Sequence, residues 1–326
     1  MMYGEIALFT GNANPELARE ISQALGVPLC AADVFKFANQ NIFCRLHASV
    51  RGKDVFIIQP IANSCDEKGR FASVNDNLME LLIMIDTVKR DSAGRISAVV
   101  PYYGYGRTDK KDQPRVPITA RLVADMITIA GADRFLTVDL HAGQIQGFFN
   151  IQVDEITAFY LLSDYIREKK ISNGVVVAGD IGATKRSRNF AQALDLPLAV
   201  IEKRRIQLED GSKAEALNII GEVEGKDCII FDDEIDTAGT MVEAINFLKR
   251  AGAREIYACV THPVFSDPAV QRLSQAPVKE VVVTNTIALP PEKRFSKLTV
   301  LSVAPLLAEV IRRIHLGISV GELFNE

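Results

Sequence analysis

Short runs of β-branched and apolar residues alternate with helix-like segments along almost the whole chain of 326 residues. Continuous apolar runs of this length are typical of strands buried on both faces, as in parallel sheets. Ten runs fit this description: Glu5–Phe9, Asp54–Ile58, Ile96–Val100, Phe135–Asp139, Val175–Ala178, Leu198–Ile201, Cys228–Phe231, Ile256–Val260, Val281–Thr284 and Leu298–Val303. The pattern predicts an α/β fold in which largely parallel sheets are covered by helices.

Helix signals lie between many of these runs. Asn14 followed by Pro15 is a typical helix start, because asparagine caps free backbone N–H groups and proline fits the first helical turn. A second helix is indicated by an apolar stripe facing a polar one: Met241, Ile245 and Leu248 against Glu243, Asn246 and Lys249.

Three stretches repeat a helix end, a glycine, a basic residue and a strand: KRDSAGRISAVVPY (89–102), AGADRFLTVDLH (130–141) and KRAGAREIYACVTH (249–262). Any α/β protein can repeat such joints, so the repeat alone leaves duplication open. With a chain long enough for two cores, we expect two domains of the same kind, 1–156 and 157–326. No linker rich in glycine, serine or proline marks the boundary.

Composition excludes several classes of protein. A net charge of −4 argues against a nucleic-acid binder that works by bulk charge, so an anion site has to be built locally. No apolar run approaches the roughly 20 residues that cross a bilayer. The start of the chain lacks the basic and apolar regions of a signal peptide. Five cysteines without a C-x-x-C pair suit reduced thiols, and we expect a cytoplasmic protein.

The stretch FDDEIDTAGT (231–240) follows a buried strand and leads into the helix that contains Met241. Backbone N–H groups at a helix start attract an anion, and Thr237 and Thr240 add hydroxyl donors. Asp232 and Asp233 accept hydrogen bonds from sugar hydroxyls or bind a Mg²⁺ shell. A sugar phosphate satisfies both demands. The alternative is an ordinary helix capped by Asp236, with the acidic pair solvated.

Longer motifs carry a family resemblance. FDDEIDTAGT resembles the ribose 5-phosphate and phosphoribosyl-diphosphate motif of the type I phosphoribosyltransferase fold. Five further stretches are similar to ribose-phosphate pyrophosphokinases, the phosphoribosyl-diphosphate synthetases: VNDNLMELL (74–82), VPYYGYGRTDKK (100–111), TVDLHAGQIQGFF (137–149), VVVTNTIALP (281–290) and SVAPLLAEVIRRIH (302–315). The resemblance implies two similar phosphoribosyltransferase type I-like domains.

The implied reaction transfers the diphosphoryl group of Mg-ATP to the 1-hydroxyl of ribose 5-phosphate, giving phosphoribosyl diphosphate and AMP. Two alternatives remain: a phosphoribosyltransferase, or a non-catalytic homologue that binds active synthetase subunits. By resemblance, ribose 5-phosphate is held by Asp232, Asp233, Asp236, Thr237, Ala238, Gly239 and Thr240.

The resemblance makes His141 and Asp180 ligands of Mg²⁺. Asp139 and His141, two apart on a strand, are expected to project to the same side. A lone histidine after a strand is more often a packed residue. Lys203 and Arg205 of AVIEKRR correspond to a flexible catalytic loop in the family, although their spacing alone suits a basic surface turn.

The nucleotide residues fall on two further stretches. Phe37, in FKFANQN, is expected to stack on adenine, and Asn39 and Asn41 are expected to read its edge, unless this stretch is only a β-turn. The cationic run 104–115 is either a solvated loop or a mobile nucleotide loop, in which the resemblance assigns ATP contacts to Arg107, Thr108 and Asp112. The family usually has glutamate at position 41, glutamine at 108 and aspartate at 150, where this chain has Asn41, Thr108 and Asn150.

The family assembles as homodimers, usually joined into hexamers, and Asp112 is expected to approach the base in a neighbouring subunit. Phosphate or ADP are possible effectors. The positions that match the family's effector site are Ser49, Val50, Arg51, Gln146 and Asp154.

Overall fold

The computed structural model describes residues 3–65, 69–207 and 213–324, apart from the side chains of 203–216 and 324. The helices are α1 (Pro15–Leu25), α2 (Val74–Arg90), α3 (Thr119–Ala130), α4 (Phe159–Glu168), α5 (Thr184–Leu194), α6 (Gly239–Arg250), α7 (Ala269–Gln275) and α8 (Ala304–Leu316). The strands are β1 (Ile6–Thr10), β2 (Ala32–Lys36), β3 (Ile42–Leu46), β4 (Asp54–Ile58), β5 (Ser64–Cys65), β6 (Phe71–Ala72), β7 (Arg95–Val100), β8 (Arg134–Val138), β9 (Gln152–Ile156), β10 (Gly174–Ala178), β11 (Leu198–Gln207), β12 (Lys213–Ile220), β13 (Asp227–Ile235), β14 (Ile256–Pro263), β15 (Glu280–Thr284) and β16 (Leu298–Leu301).

The chain divides into two compact units. Unit 1 comprises Met1–Thr157, Thr286–Ala288 and Ser302–Glu326, and unit 2 comprises Ala158–Asn285 and Leu289–Leu301. The sequence analysis assigned residues 302–326 to the second domain, whereas the structure places them in unit 1. The physical reason is that α8 packs against α1.

Unit 1 is built on a five-stranded parallel sheet in the order β1-β4-β7-β8-β9. Alternate residues of its strands, such as Phe9, Ile57 and Ala98, share one core with the apolar faces of α2 and α3. The strands β2 and β3 form a separate antiparallel hairpin that contacts α2. Another short hairpin, β5 and β6, flanks residues 66–68, which lie outside the described part of the chain.

Unit 2 is built on a seven-stranded sheet in the order β12-β11-β10-β13-β14-β15-β16. All its pairings are parallel except that of β11 with β12. Helices α6 and α7 share a core with alternate residues of the central strands, and Met241, Ile245 and Leu248 are buried as their spacing predicts. On α5, Phe190 stacks on Phe231 of β13 at 4.2 Å between ring centroids.

The predicted fold class is confirmed, since both units are α/β with largely parallel sheets and helices. Each of the ten apolar runs forms a strand, and Asn14 caps α1 by accepting a hydrogen bond from the Leu17 N–H. Four longer strands were not predicted: β2, β3, β9 and β12. Charged residues interrupt these strands, so their sequences lack the continuous apolar run of a strand buried on both faces.

A buried ionic network fastens α8 to the amino end of the sheet in unit 1. Asp54, fully buried at the start of β4, accepts hydrogen bonds of 2.8 and 2.5 Å from the Arg95 guanidinium. His315 Nδ1 lies 2.9 Å from the same carboxylate, and Arg95 also donates to the Ile314 carbonyl at 3.0 Å. One carboxylate thus ties two strands to the last helix.

We expect Asp54→Ala to lower the free energy of unfolding by about 3–5 kcal/mol, because a buried ion pair that loses one partner leaves the other charge uncompensated. The Arg95 side chain is only 13% exposed, so water cannot replace the lost carboxylate. Urea denaturation followed by circular dichroism measures the change. Arg90→Ala, which removes an exposed pair with Asp86, is the control and should have little effect. Equal losses in the two variants would contradict a structural role for Asp54.

Candidate functional site

The acidic pair of unit 2 lies inside a strand. The sequence analysis placed Asp232 and Asp233 at the end of the run Cys228–Phe231, but β13 continues through Ile235. The pairing with β14 explains the difference, since its register extends to Ile235 opposite Pro263. Both carboxylates therefore occupy the carboxyl half of a central parallel strand, where open α/β sheets bind ligands.

Arg186 of α5 partly neutralises the two carboxylates. Its Nη1 lies 2.6 Å from Asp233 Oδ1 and 3.4 Å from Asp232 Oδ1. The Asp233 N–H also donates to Asp232 Oδ1 at 2.9 Å. Desolvation and the adjacent Asp233 carboxyl raise the pKa of Asp232 to about 8. The Asp233 side chain is the less exposed of the two, at 7% against 36% for Asp232, so it too is affected by burial. We therefore assign the proton to the coupled pair and not to Asp232 alone.

The turn after β13 starts α6 without a side-chain cap in the described structure. The residue at the cap position is Ala238, not Asp236, so the alternative of a helix capped by Asp236 is wrong. Ala238 adopts a left-handed φ of +60°. Thr237, Gly239 and Thr240 are exposed. The arrangement suits an anion bound by backbone N–H and hydroxyl groups.

The two proposed magnesium ligands follow strand ends in different units. Asp180 comes after β10, is exposed, and accepts a hydrogen bond of 2.8 Å from the Ala183 N–H through one oxygen. His141 is exposed and comes after β8, which ends at Val138. Asp139 has a left-handed φ of +37°. Both residues lie beyond the end of β8, so the expectation that they lie on a strand and project to the same side of it is wrong.

The cationic segment of unit 1 has a fixed base and an exposed tip. A Cβ added at Gly104 would lie 2.3 Å from the Ile61 carbonyl oxygen, so the segment begins with a close backbone approach that only glycine allows. Asp109 is buried and accepts a hydrogen bond from Gln144. Residues 110–115, including Asp112, are exposed, as is Arg107, while Thr108 is half-buried.

The adenine candidates lie on the hairpin of unit 1. Phe37 follows β2, is 47% exposed, and clusters with Phe35 and Phe43 at ring distances of 5.2 and 5.6 Å. Asn39 and Asn41 are exposed in the turn, where Asn39 Oδ1 accepts from the Asn41 N–H at 3.1 Å. The stretch is a turn between two strands, and that turn carries an exposed aromatic face.

Lys203 and Arg205 lie within β11, where the sequence analysis expected residues that follow a strand. Their backbones pair with Leu217 and Glu215 of the antiparallel β12. The two side chains lie outside the described part of the structure, as do residues 208–212.

Sequence reasoning missed Arg186 and Asp109. Arg186 carries a usable signal, since it stands on the helix that follows Asp180, within the basic stretch KRSR (185–188). Asp109 carries none, because nothing in TDKKD distinguishes the buried aspartate from the exposed Asp112. Only the packing of the folded chain separates the two.

The described residues contain neither a three-residue metal-binding group nor a helix that could span a membrane. Within 3–65, 69–207 and 213–324, the structure brings together no group of three or more His, Cys, Asp or Glu side chains able to hold a metal ion. Over the same residues, every helix is too short or too polar to span a bilayer.

Comparisons with known proteins cover nearly the whole chain. Residues 6–131 match the model of the N-terminal domain of ribose phosphate pyrophosphokinase, and residues 208–325 match the phosphoribosyl synthetase-associated domain. Ribose-phosphate pyrophosphokinase of Caldanaerobacter subterraneus subsp. tengcongensis is 53% identical over 98% of each chain, and that of Wolinella succinogenes is 50% identical over 97% of this chain and 98% of its own. The crystal structure of phosphoribosylpyrophosphate synthetase from Mycobacterium smegmatis has a TM-score of 0.88 and 45% identity, with 96% of this chain and 100% of that chain covered.

The acidic pair predicts a pH dependence of stability. A carboxyl whose pKa is raised by folding binds its proton more tightly in the folded state, so its contribution is complete below its ordinary pKa of 3.8 and is lost as pH rises through about 8. Asp232→Asn removes this titration. We expect the Tm of Asp232→Asn minus the Tm of the parent to increase as pH rises from about 4 to about 8, and to stay constant above that. A Tm difference that does not change with pH would contradict a shared proton.

Proposed function

The chain belongs to the ribose-phosphate pyrophosphokinase family, and from that premise we propose that it transfers the diphosphoryl group of ATP to the 1-hydroxyl of ribose 5-phosphate. The products are 5-phosphoribosyl 1-diphosphate and AMP. The chain is thus an enzyme, a diphosphokinase of the transferase class. The hydroxyl oxygen attacks the β-phosphorus, the bond from that phosphorus to the α-phosphate oxygen breaks, and the hydroxyl proton leaves to solvent.

The observation that carries the proposal is the acidic pair next to the uncapped start of α6. Asp232 and Asp233 supply acceptors for the ribose hydroxyls, and the turn Asp236–Thr240 supplies N–H and hydroxyl donors for the 5-phosphate. A ligand with hydroxyls at one end and a dianion at the other matches this division of charge. Neither a free sugar nor inorganic phosphate matches both parts.

The raised pKa of Asp232 implies that sugar binding is coupled to release of a proton. Ribose hydroxyls donate hydrogen bonds to the ionised carboxylates, so binding favours loss of the proton that the free pair shares. Arg186 stands within ion-pair distance of both carboxylates and stabilises that ionised form. The free pair therefore still holds its proton near neutral pH, and Arg186 favours release of that proton when the sugar binds.

The proposal assigns the nucleotide to residues of unit 1. The exposed ring of Phe37 offers a face for adenine, and Asn39 and Asn41 offer amide groups to its edge. Arg107 offers a guanidinium to the phosphates, and Thr108 and Asp112 complete the set. The anchored base of this segment supports such a role, because it holds Arg107 next to a fixed backbone.

We also propose that Mg²⁺ accompanies ATP and is held by His141 and Asp180. Asp180 fits this role well, since it is exposed and its Oδ1 is oriented by the hydrogen bond from the Ala183 N–H. An imidazole is a less common ligand for this hard cation, which prefers oxygen. When bound, Mg²⁺ neutralises phosphate charge and retains several waters, so few protein ligands are needed.

Charge neutralisation by cationic side chains is the remaining requirement. Diphosphoryl transfer places negative charge on several oxygens, and catalysis consists mainly of positioning and charge stabilisation. Lys203 and Arg205 are the proposed catalytic residues, with Arg107 on the nucleotide. Both residues lie where the antiparallel pair β11–β12 extends beyond the pairing of β11 with β10. This position supports a role outside the core of unit 2.

Assembly and regulation complete the proposal. We propose a homo-oligomer based on dimers, a hexamer in its full form, in which the exposed Asp112 contacts a neighbouring subunit's nucleotide. Phosphate and ADP are the proposed effectors. Of the matched effector positions, Gln146 donates to Glu155 and Asp154 pairs with Arg134 within unit 1. An effector therefore has to work around these contacts or exchange them.

A direct assay tests the proposed reaction. Purified protein is incubated with ribose 5-phosphate, Mg²⁺ and ATP, and AMP and phosphoribosyl diphosphate are measured together. Equal amounts of the two products support diphosphoryl transfer. AMP without phosphoribosyl diphosphate would overturn the proposal, and no turnover would overturn it in favour of the non-catalytic alternative. Consumption of added phosphoribosyl diphosphate with a base would favour a phosphoribosyltransferase.

We expect Lys203→Ala to lower kcat by about a hundredfold or more, as loss of one preorganised charge costs roughly 3–4 kcal/mol of transition-state stabilisation. Binding of ribose 5-phosphate, measured by calorimetry without ATP, should be unchanged. Lys226→Ala is the matched control, because Lys226 pairs with Glu222 outside the proposed site. Normal turnover in Lys203→Ala would remove this lysine from the mechanism.

The substitution Asn41→Glu tests the base-reading role of the hairpin. The backbone of Asn41 is engaged in the turn, since its N–H donates to Asn39 and its carbonyl accepts from Phe37. Its exposed side-chain amide can donate as well as accept, so it tolerates the carbonyl of GTP as well as the amino group of ATP. We expect Asn41→Glu to raise the ratio of kcat/KM for ATP over GTP. A strong ATP preference in the parent that the substitution leaves unmoved would contradict this placement of adenine.

A further inference from the structure

Arg272 of α7 is attached to the turn proposed to bind the 5-phosphate. Its Nη1 donates a hydrogen bond of 3.0 Å to the Thr237 carbonyl oxygen. The same nitrogen lies 3.4 Å from the point where a Cβ on Gly239 would stand. The guanidinium thus lies against the turn from Thr237 to Gly239. None of the sequence motifs includes this arginine.

The turn needs external support because its backbone is strained. Ala238 has a φ of +60°, and a residue with a Cβ occupies this left-handed region at a cost of about 1 kcal/mol or more. Ala238, the residue at the cap position of α6, has no polar side chain with which to fix the turn. The Val242 N–H donates to the Ala238 carbonyl at 3.0 Å, the Ala238 methyl group is buried in the core of unit 2, and Arg272 donates to the Thr237 carbonyl.

The position of Arg272 is fixed by the core of unit 2. Ala269 and Leu273, on either side of it in α7, are fully buried in the cluster that also contains Ala238. The Arg272 N–H donates to the Pro268 carbonyl at 3.1 Å. The backbone of Arg272 therefore cannot shift independently of the core, and its side chain reaches the turn from a rigid base.

We propose that Arg272 is a positioning residue for the sugar-phosphate turn: it binds the Thr237 carbonyl and keeps Ala238 left-handed, so that the N–H groups at the start of α6 stay directed at the phosphate. The inference rests on the proposed function, because it deepens the role of the same turn. Arg272 acts through the backbone, and its effect is therefore confined to ribose 5-phosphate.

Two substitutions and their combination test the proposal. Arg272→Met keeps the length of the side chain and removes its donors. We expect it to raise KM for ribose 5-phosphate about tenfold, the size of effect given by loss of one charge-assisted hydrogen bond, while KM for ATP changes by less than about twofold. Ala238→Gly added to Arg272→Met should bring KM for ribose 5-phosphate back to within about threefold of the parent, because glycine adopts a left-handed φ without strain.

The rescue separates positioning from direct charge. If Ala238→Gly fails to restore KM for ribose 5-phosphate, Arg272 acts by its own charge and the proposal is wrong. The same conclusion follows if Arg272→Met leaves this KM unchanged or raises both KM values equally. Arg250→Met is the matched control, since it removes an arginine at the other end of α6 and should leave both KM values at those of the parent. Tm values of all variants report whether unit 2 is folded.

The proposed function has its own signature in the same experiment. A parent protein that neither binds ribose 5-phosphate nor forms phosphoribosyl diphosphate would refute the function. A parent that does both, with an Arg272→Met variant that matches it, would refute this inference alone.

Discussion

Parallel strand pairing decides where polar groups lie in both units. At the amino ends of the strands, aspartates are bound by arginines from the neighbouring strand or the loop before it: Asp54 by Arg95 in unit 1, and Asp227 by Arg254 at 2.6 and 2.7 Å in unit 2. These bidentate pairs link neighbouring strands at their amino ends in each sheet. The turns that follow the carboxyl ends hold several of the candidate residues, among them His141, Asp180 and 236–240. In both units, therefore, an ion pair lies at the amino ends of the strands and candidate residues lie at the carboxyl ends.

The acidic pair at the carboxyl end of β13 is electrostatically unfavourable in the free protein. Two adjacent carboxylates on a central strand repel each other, and burial together with the adjacent Asp233 carboxyl raises the pKa of Asp232. Arg186 relieves this repulsion only in part. A fold selected for stability alone would place apolar residues at these positions, as β13 does from Cys228 to Phe231. Under the proposed function, the hydroxyls of the bound sugar donate hydrogen bonds to these carboxylates, which gives the retained charge a role in binding.

The sequence predicts the parallel strands well because burial on both faces demands continuous apolar runs, and Asp54–Ile58 is right to the residue. It fails where a strand continues through charged residues, as β13 does through Asp232 and Asp233. The same failure hides β9, where Asp154 and Glu155 find partners in Arg134 and the Leu140 N–H. The family resemblance proposed most site residues. Contacts between distant segments, such as Arg186 with the acidic pair, follow only from packing and have no local signal.

Ala238 illustrates why a binding turn can favour strain over freedom. Glycine fits a left-handed backbone more easily, but it also allows other conformations in the free protein. The alanine methyl group is buried in the core of unit 2, and Arg272 holds the carbonyl of the preceding residue. The turn is therefore fixed from the core side by packing and from the other side by a hydrogen bond. An anion that binds such a turn meets donors already in place, and the ordering cost is met during folding rather than on binding.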